Sequence, residues 1–110
     1  MAKASYRNAG EVIEYTNSGA STIEHGEIVA IGSIGVGVVA APIKAGETGR
    51  VHVVGIWEFP KTTSLSISYG DALYFSTSTN KVTKTNTDVP CGFAIAAAAS
   101  DAETVMVRLG

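Results

Sequence analysis

The side chains able to do chemistry are few and scattered. His25 stands between Glu24 and Glu27, a grouping in which an imidazole could hold a metal or exchange a proton with a carboxylate. His52 follows Arg50 by two residues, and Cys91, the one cysteine, follows Pro90. A zinc site takes about three or four N or S ligands, and two histidines and one cysteine on distant segments barely make such a set. A turn histidine and a strand-surface histidine account for the pair more simply. Cys91 has no local cation to lower its pKa, so a small buried apolar residue explains it more simply than a nucleophile does. Gly35-Val36-Gly37-Val38-Val39-Ala40 carries the letters of a dinucleotide fingerprint. Its β-branched residues and the following Pro42 do not open the helix whose N-terminus would hold pyrophosphate. The alternative is a glycine-faced strand against which another segment packs closely. Trp57 and Phe59 alternate with Glu58, a spacing that suits an aromatic platform for bases or sugars, a packed core or a subunit contact. No phosphate loop, Gly-x-Ser-x-Gly elbow or paired-carboxylate pattern occurs. The expectation is a protein that is not an enzyme, with no catalytic residues, no metal and no cofactor.

The elements that must carry these residues are strands. Val, Ile and Thr number 32, against five Leu and Met, and there is no Gln. Branched side chains lose rotamer freedom in a helix and pack well on a pleated surface, so this excess predicts an all-β chain. In Thr104-Val105-Met106-Val107-Arg108-Leu109, the period of two puts Val105, Val107 and Leu109 on one face and Met106 and Arg108 on the other. Comparable runs cover 11–15, 28–31, 36–41, 49–59, 72–76 and 92–98, separated by Gly, Asn, Asp, Ser or Pro. A small β-barrel or β-sandwich of about seven or more short strands, with little or no helix, follows. His25-Gly26-Glu27, Ala45-Gly46-Glu47 and Tyr69-Gly70-Asp71 each place glycine and an acid before a β-rich run, a rhyme of turns rather than a repeat. Asn80-Lys81 suits a hairpin tip, and 61–68 reads as a polar connector. The alanines of 94–102 favour helix by propensity, but Pro90 and Gly92 precede them and no polar face forms, so a strand with a turn at Ser100-Asp101 is expected.

Length and charge narrow the function classes. A chain of 110 residues with 45% hydrophobic residues, 16% charged residues and 12 glycines is expected to fold as one domain over 1–110, with 1–6 as an extended N-terminal arm. Eight Lys and Arg against ten Asp and Glu leave no basic stripe for phosphates, so nucleic acid is not an expected partner. Neither a leader pattern nor an apolar run of ~20 residues is present, so a membrane is not an expected partner and synthesis in the cytoplasm is expected. One cysteine forms no internal disulfide, which leaves packing and association to supply stability.

Several strings then act together as a signature: Ile28-Val29-Ala30-Ile31-Gly32, Ile43-Lys44-Ala45-Gly46-Glu47-Thr48-Gly49, Val54-Gly55-Ile56-Trp57-Glu58-Phe59-Pro60-Lys61 and Tyr69-Gly70-Asp71-Ala72-Leu73-Tyr74-Phe75. With the early Gly10-Glu11-Val12-Ile13-Glu14-Tyr15 and the closing Val105-Met106-Val107-Arg108-Leu109, nearly the whole chain resembles a family of small tailed-phage capsid cement or decoration proteins. Some members carry a recombinase-like label, but an ATP-driven recombinase needs a Gly-Lys-Ser or Gly-Lys-Thr phosphate loop that this chain lacks. The resemblance implies a virion structural protein on the capsid surface, with the major capsid protein as partner and a homotrimer as the oligomer. Within that frame Ala2, Lys3, Ala4, Ser5, Tyr6 and Arg7 form a candidate capsid-contact arm, since Lys3 and Arg7 have no acid nearby and the stretch could add as a strand to a capsid edge. Trp57 and Phe59, or the glycine-faced strand of 35–41, are candidate subunit contacts. The rival reading is a free-standing binding module that grips carbohydrate or a tail component through Trp57.

Overall fold

A computed structural model describes residues 2–110. Nine strands account for its regular structure: β1 (Val12–Thr16), β2 (Ile28–Ile31), β3 (Gly35–Val39), β4 (Thr48–His52), β5 (Gly55–Pro60), β6 (Ala72–Ser76), β7 (Lys81–Thr83), β8 (Val89–Ala94) and β9 (Thr104–Leu109). All pair antiparallel, in a four-stranded sheet ordered β1-β4-β3-β2 and a five-stranded sheet ordered β5-β9-β8-β6-β7. Of the two architectures that composition leaves open, the sheets form the sandwich-like one and not a closed barrel.

Two expected boundaries shift for physical reasons. The apolar run 49–59 is not one strand but two, in different sheets. Gly55 takes φ 115°, a value side chains avoid, and the Trp57 indole N–H folds back to donate to the Val54 carbonyl at 3.1 Å, so the chain turns there. The segment 92–98 begins earlier, at Val89, and ends at Ala94, with a register shift opposite Leu73 and Tyr74 that accommodates Pro90 and Gly92. A Cβ on Gly92, at φ 133°, would run into the Arg108 carbonyl.

The rhyme of glycine turns proves to be the trace of a repeated topology. The sheet order β1-β4-β3-β2 is reproduced by β5-β9-β8-β6, with β7 added at the edge. Registers correspond as well. Val38 lies between Ile28 and His52, as Phe93 lies between Ala72 and Arg108. Gly26, Gly46 and Gly70 share φ values of 85°, 83° and 86°. Gly26 N donates to Val39 O and Val39 N to Glu27 O; in the second half Gly70 N donates to Ala94 O and Ala94 N to Asp71 O. The isolated bridge between Ile23 and Ile43 recurs between Ile67 and Ala98.

The same equivalence governs the two buried polar side chains. Asn17, directly after β1, and Lys61, directly after β5, are 2% and 1% exposed. Their backbone N–H groups donate to Glu47 O and Glu103 O respectively, each just ahead of the last strand of its half. The Asn17 amide donates to Ser21 O and Ile43 O. The Lys61 ammonium donates to the carbonyls of Thr62, Ser100 and Ala102 at 2.8, 3.3 and 3.1 Å. In each half one buried polar side chain thus ties the strand end to the loop that feeds the final strand. The connector 61–68 is therefore anchored rather than simply solvated, with Ile67 also 1% exposed.

The larger core joins Phe59, Leu73, Phe75, Val82, Val105, Val107 and Leu109 of the second half to Val36 and Val38 of β3. A smaller cluster of Val39, Ile43 and Val51, flanked by half-buried Ile13, Tyr15, Val29 and Ile31, occupies the other face of the first sheet. Cys91 is 3% exposed in the larger core, and burial pushes its thiol pKa up to about 12.

Lys61→Met keeps the aliphatic stem but strips the donors from three carbonyls, and should lower the unfolding free energy in urea by roughly 2–4 kcal/mol; Lys44→Met, on an exposed turn, should leave the midpoint unchanged. Native Cys91 should resist maleimide at neutral pH and react promptly once the chain is unfolded in urea. Between pH 9.0 and about 12 the unfolded chain releases the thiol proton and the folded chain does not, so stability falls as pH rises through that window, and Cys91→Ala should flatten that decline.

Candidate interaction surfaces

No cluster of three or more His, Cys, Asp or Glu side chains able to hold a metal comes together among the described residues. His25 sits exposed on its turn, and the Glu27 carboxylate accepts from the Glu24 backbone N–H instead of facing the imidazole. His52 lies half-buried on β4 with its ring 5.3 Å from that of Trp57. The dinucleotide-like letters of 35–40 form β3, and a Cβ on Gly37 would meet the Val51 side chain at 2.8 Å, so that glycine admits a neighbour's side chain and not a phosphate.

Of the three roles open to the aromatic pair, the fold uses it for core packing. Alternation along β5 turns Trp57 and Phe59 inward and Ile56 and Glu58 outward. Phe59 is 1% exposed and packs edge-on against Phe75 at 6.4 Å, so its ring is spent on the chain's own core and offers nothing to another subunit. Trp57 is half-buried against the same core, with its indole N–H already paired to the Val54 carbonyl. The residues of 36–39 on the glycine-faced strand are buried likewise.

Exposed apolar surface lies elsewhere. On the outer face of the five-stranded sheet, Ile56, Phe93 and Met106 are 57%, 42% and 38% exposed around Arg108, and Tyr69 stands 75% exposed on the turn that feeds β6. Ile34, 82% exposed at the β2–β3 turn, rims a depression of about 420 Å³ lined by apolar groups that include Ile13, Ile31, Val53 and Leu109. The outward placement of Met106 is readable from the period of β9. Phe93 is not, because the irregularity at Gly92 decides which way it points.

The arm residues Ala2, Lys3, Ala4, Ser5, Tyr6 and Arg7 are all exposed and outside every strand, with Tyr6 at 84%. Met1 lies outside the described residues. A local turn, in which Gly10 N donates to Asn8 Oδ1 at 2.8 Å, separates this stretch from β1. Since β1 is an edge of its sheet, the arm leaves the fold beside an unpaired strand.

Comparison with known proteins identifies a family. Searches of curated proteins and of solved structures return no match. The phage cement protein family matches residues 8–109, which takes in all nine strands and leaves the arm of 2–7 outside. Cement proteins are structural components of the phage capsid. The chain belongs to the phage cement protein family.

Proposed function

We propose that the protein decorates the outer surface of the phage head, bridges neighbouring copies of the major capsid protein and stabilises the shell against the pressure of packaged DNA. The observation that carries this reading is the family match over 8–109. The physical mechanism is linkage: a ligand that binds only the intact shell stabilises it, because its contacts are lost when subunits part. Each copy held by several subunits gains from high local concentration, so that modest interfaces act as a tight clip. Capsid junctions repeat with the symmetry of the shell, and a trimer seated at a local threefold position fits that geometry. Its synthesis in the host cytoplasm precedes its place on the virion.

The contact we assign to the capsid is the arm. Lys3 and Arg7 carry the only charges of residues 2–10, and the stretch belongs to no strand of its own sheet, so its backbone N–H and C=O groups are available to extend a sheet edge on the capsid. Main-chain pairing would supply affinity and the two cations would orient the arm. The binding-module reading loses its main support with Trp57, whose ring is half-buried and whose N–H is paired.

Purified protein added to expanded heads that lack it should bind saturably and raise the temperature at which the heads rupture. A chain beginning at Asn8 should fold with the same thermal midpoint and bind the heads at least tenfold more weakly, a loss of about 1.4 kcal/mol or more. Full-strength binding without residues 2–7 would remove the arm from the capsid contact, and no binding at any ionic strength would remove the cement role.

A further inference from the structure

The repeated topology gives each half two comparable faces, and the halves do not use them alike. In the first half, the outer residues Val36 and Val38 are 3% and 4% exposed because they pack on the inner core of the second half. Gly26, Glu27 and Ile28 flank the same junction opposite Pro60, Phe75 and Asn80. By register, Phe93 of the second half corresponds to Val38, and Gly70, Asp71 and Ala72 correspond to Gly26, Glu27 and Ile28. Yet Phe93 is open, with Ile56, Met106 and Tyr69 open around it. The complementary surface is open too. Ile31 corresponds to Phe75, and Ile34 lies in the β2–β3 turn that follows it. Ile31 is only half-buried and Ile34 stands at the rim of the 420 Å³ depression.

We infer that a second copy of this chain covers the open face: the Phe93 face of one copy packs on the Ile31–Ile34 side of the first sheet of the next, repeating between chains the junction that joins the halves within one. The internal junction is the template for the occupant, since it places the same kind of outer face on the same kind of inner face. This pairing would cover Ile34, Ile56, Tyr69, Phe93 and Met106, which are five of the seven large apolar side chains left exposed among the described residues, the others being Tyr6 and Val12. The contact joins two different patches, so it propagates head to tail and closes into a ring when the rotation between copies permits.

The inference rests on the homo-oligomer within the proposed function and not on capsid binding, so the test uses the full chain without heads. Sedimentation equilibrium across a concentration series should show wild type associating beyond its 11.3 kDa chain mass. Phe93→Asp, which blocks one patch, and Ile34→Asp, which blocks the other, should each lose self-association while keeping the wild-type circular dichroism and thermal midpoint. Mixed together, the two variants should rise toward twice the chain mass, because each still carries the patch the other lacks; Ile56→Lys should behave as Phe93→Asp does. Wild type that stays at one chain mass throughout, Phe93→Asp that associates normally, or a mixture that stays at one chain mass would overturn the contact. Head binding, measured separately, stands or falls independently of this contact.

Discussion

A sheet has two faces, and a short chain without helices has only its own loops or another sheet with which to cover them. This constraint shapes the whole molecule. The four-stranded sheet covers one face with its own loops, through Ile23 and Ile43 around Val39 and Val51, and gives the other face to the second half through Val36 and Val38. Fully burying a valine side chain is worth about 1.5–3 kcal/mol, so this pair is a substantial part of what joins the halves. Every other feature accommodates that packing. Glycine sits at position 37, where Val51 needs room, and the chain turns at Gly55 to pass from one sheet to the other.

Within each half the strand ends are held by a polar tie rather than by apolar contact. Asn17 and Lys61 differ in chemistry and length, yet both follow the first strand, both are buried, and both donate to carbonyls of the loop that leads into the last strand. Lysine is almost never fully buried unless paired, and here its partners are three backbone carbonyls. A hydrophobic side chain would leave those carbonyls without donors, which is the costly outcome in a buried loop. The tie converts a connector of polar composition into a fixed part of the fold.

Much of this architecture is legible in the residue types. The excess of branched side chains identifies strands, the period of β9 assigns Val105, Val107 and Leu109 inward, and the Gly-acid pairs mark the turns at 26, 46 and 70. What is hidden depends on contacts distant in sequence. Nothing local distinguishes Lys61 from a solvated lysine, because its acceptors at Ser100 and Ala102 lie some forty residues on. Trp57 and Phe59 read equally well as core or contact, and only the register of β5 against β9 turns them inward and leaves Ile56 outside. The stretch 2–7 and the outer face of the second sheet share one property: each presents groups that the fold itself does not use.

The cement role and the head-to-tail contact meet in one observation, electron cryomicroscopy of heads saturated with the protein. Density is expected on the outside of the shell, spanning junctions between capsid subunits, with the Phe93 face of each copy covered by the first sheet of its neighbour. Density confined to the portal or tail would contradict the cement role, and copies on the shell with the Phe93 face turned to solvent would contradict the contact between them.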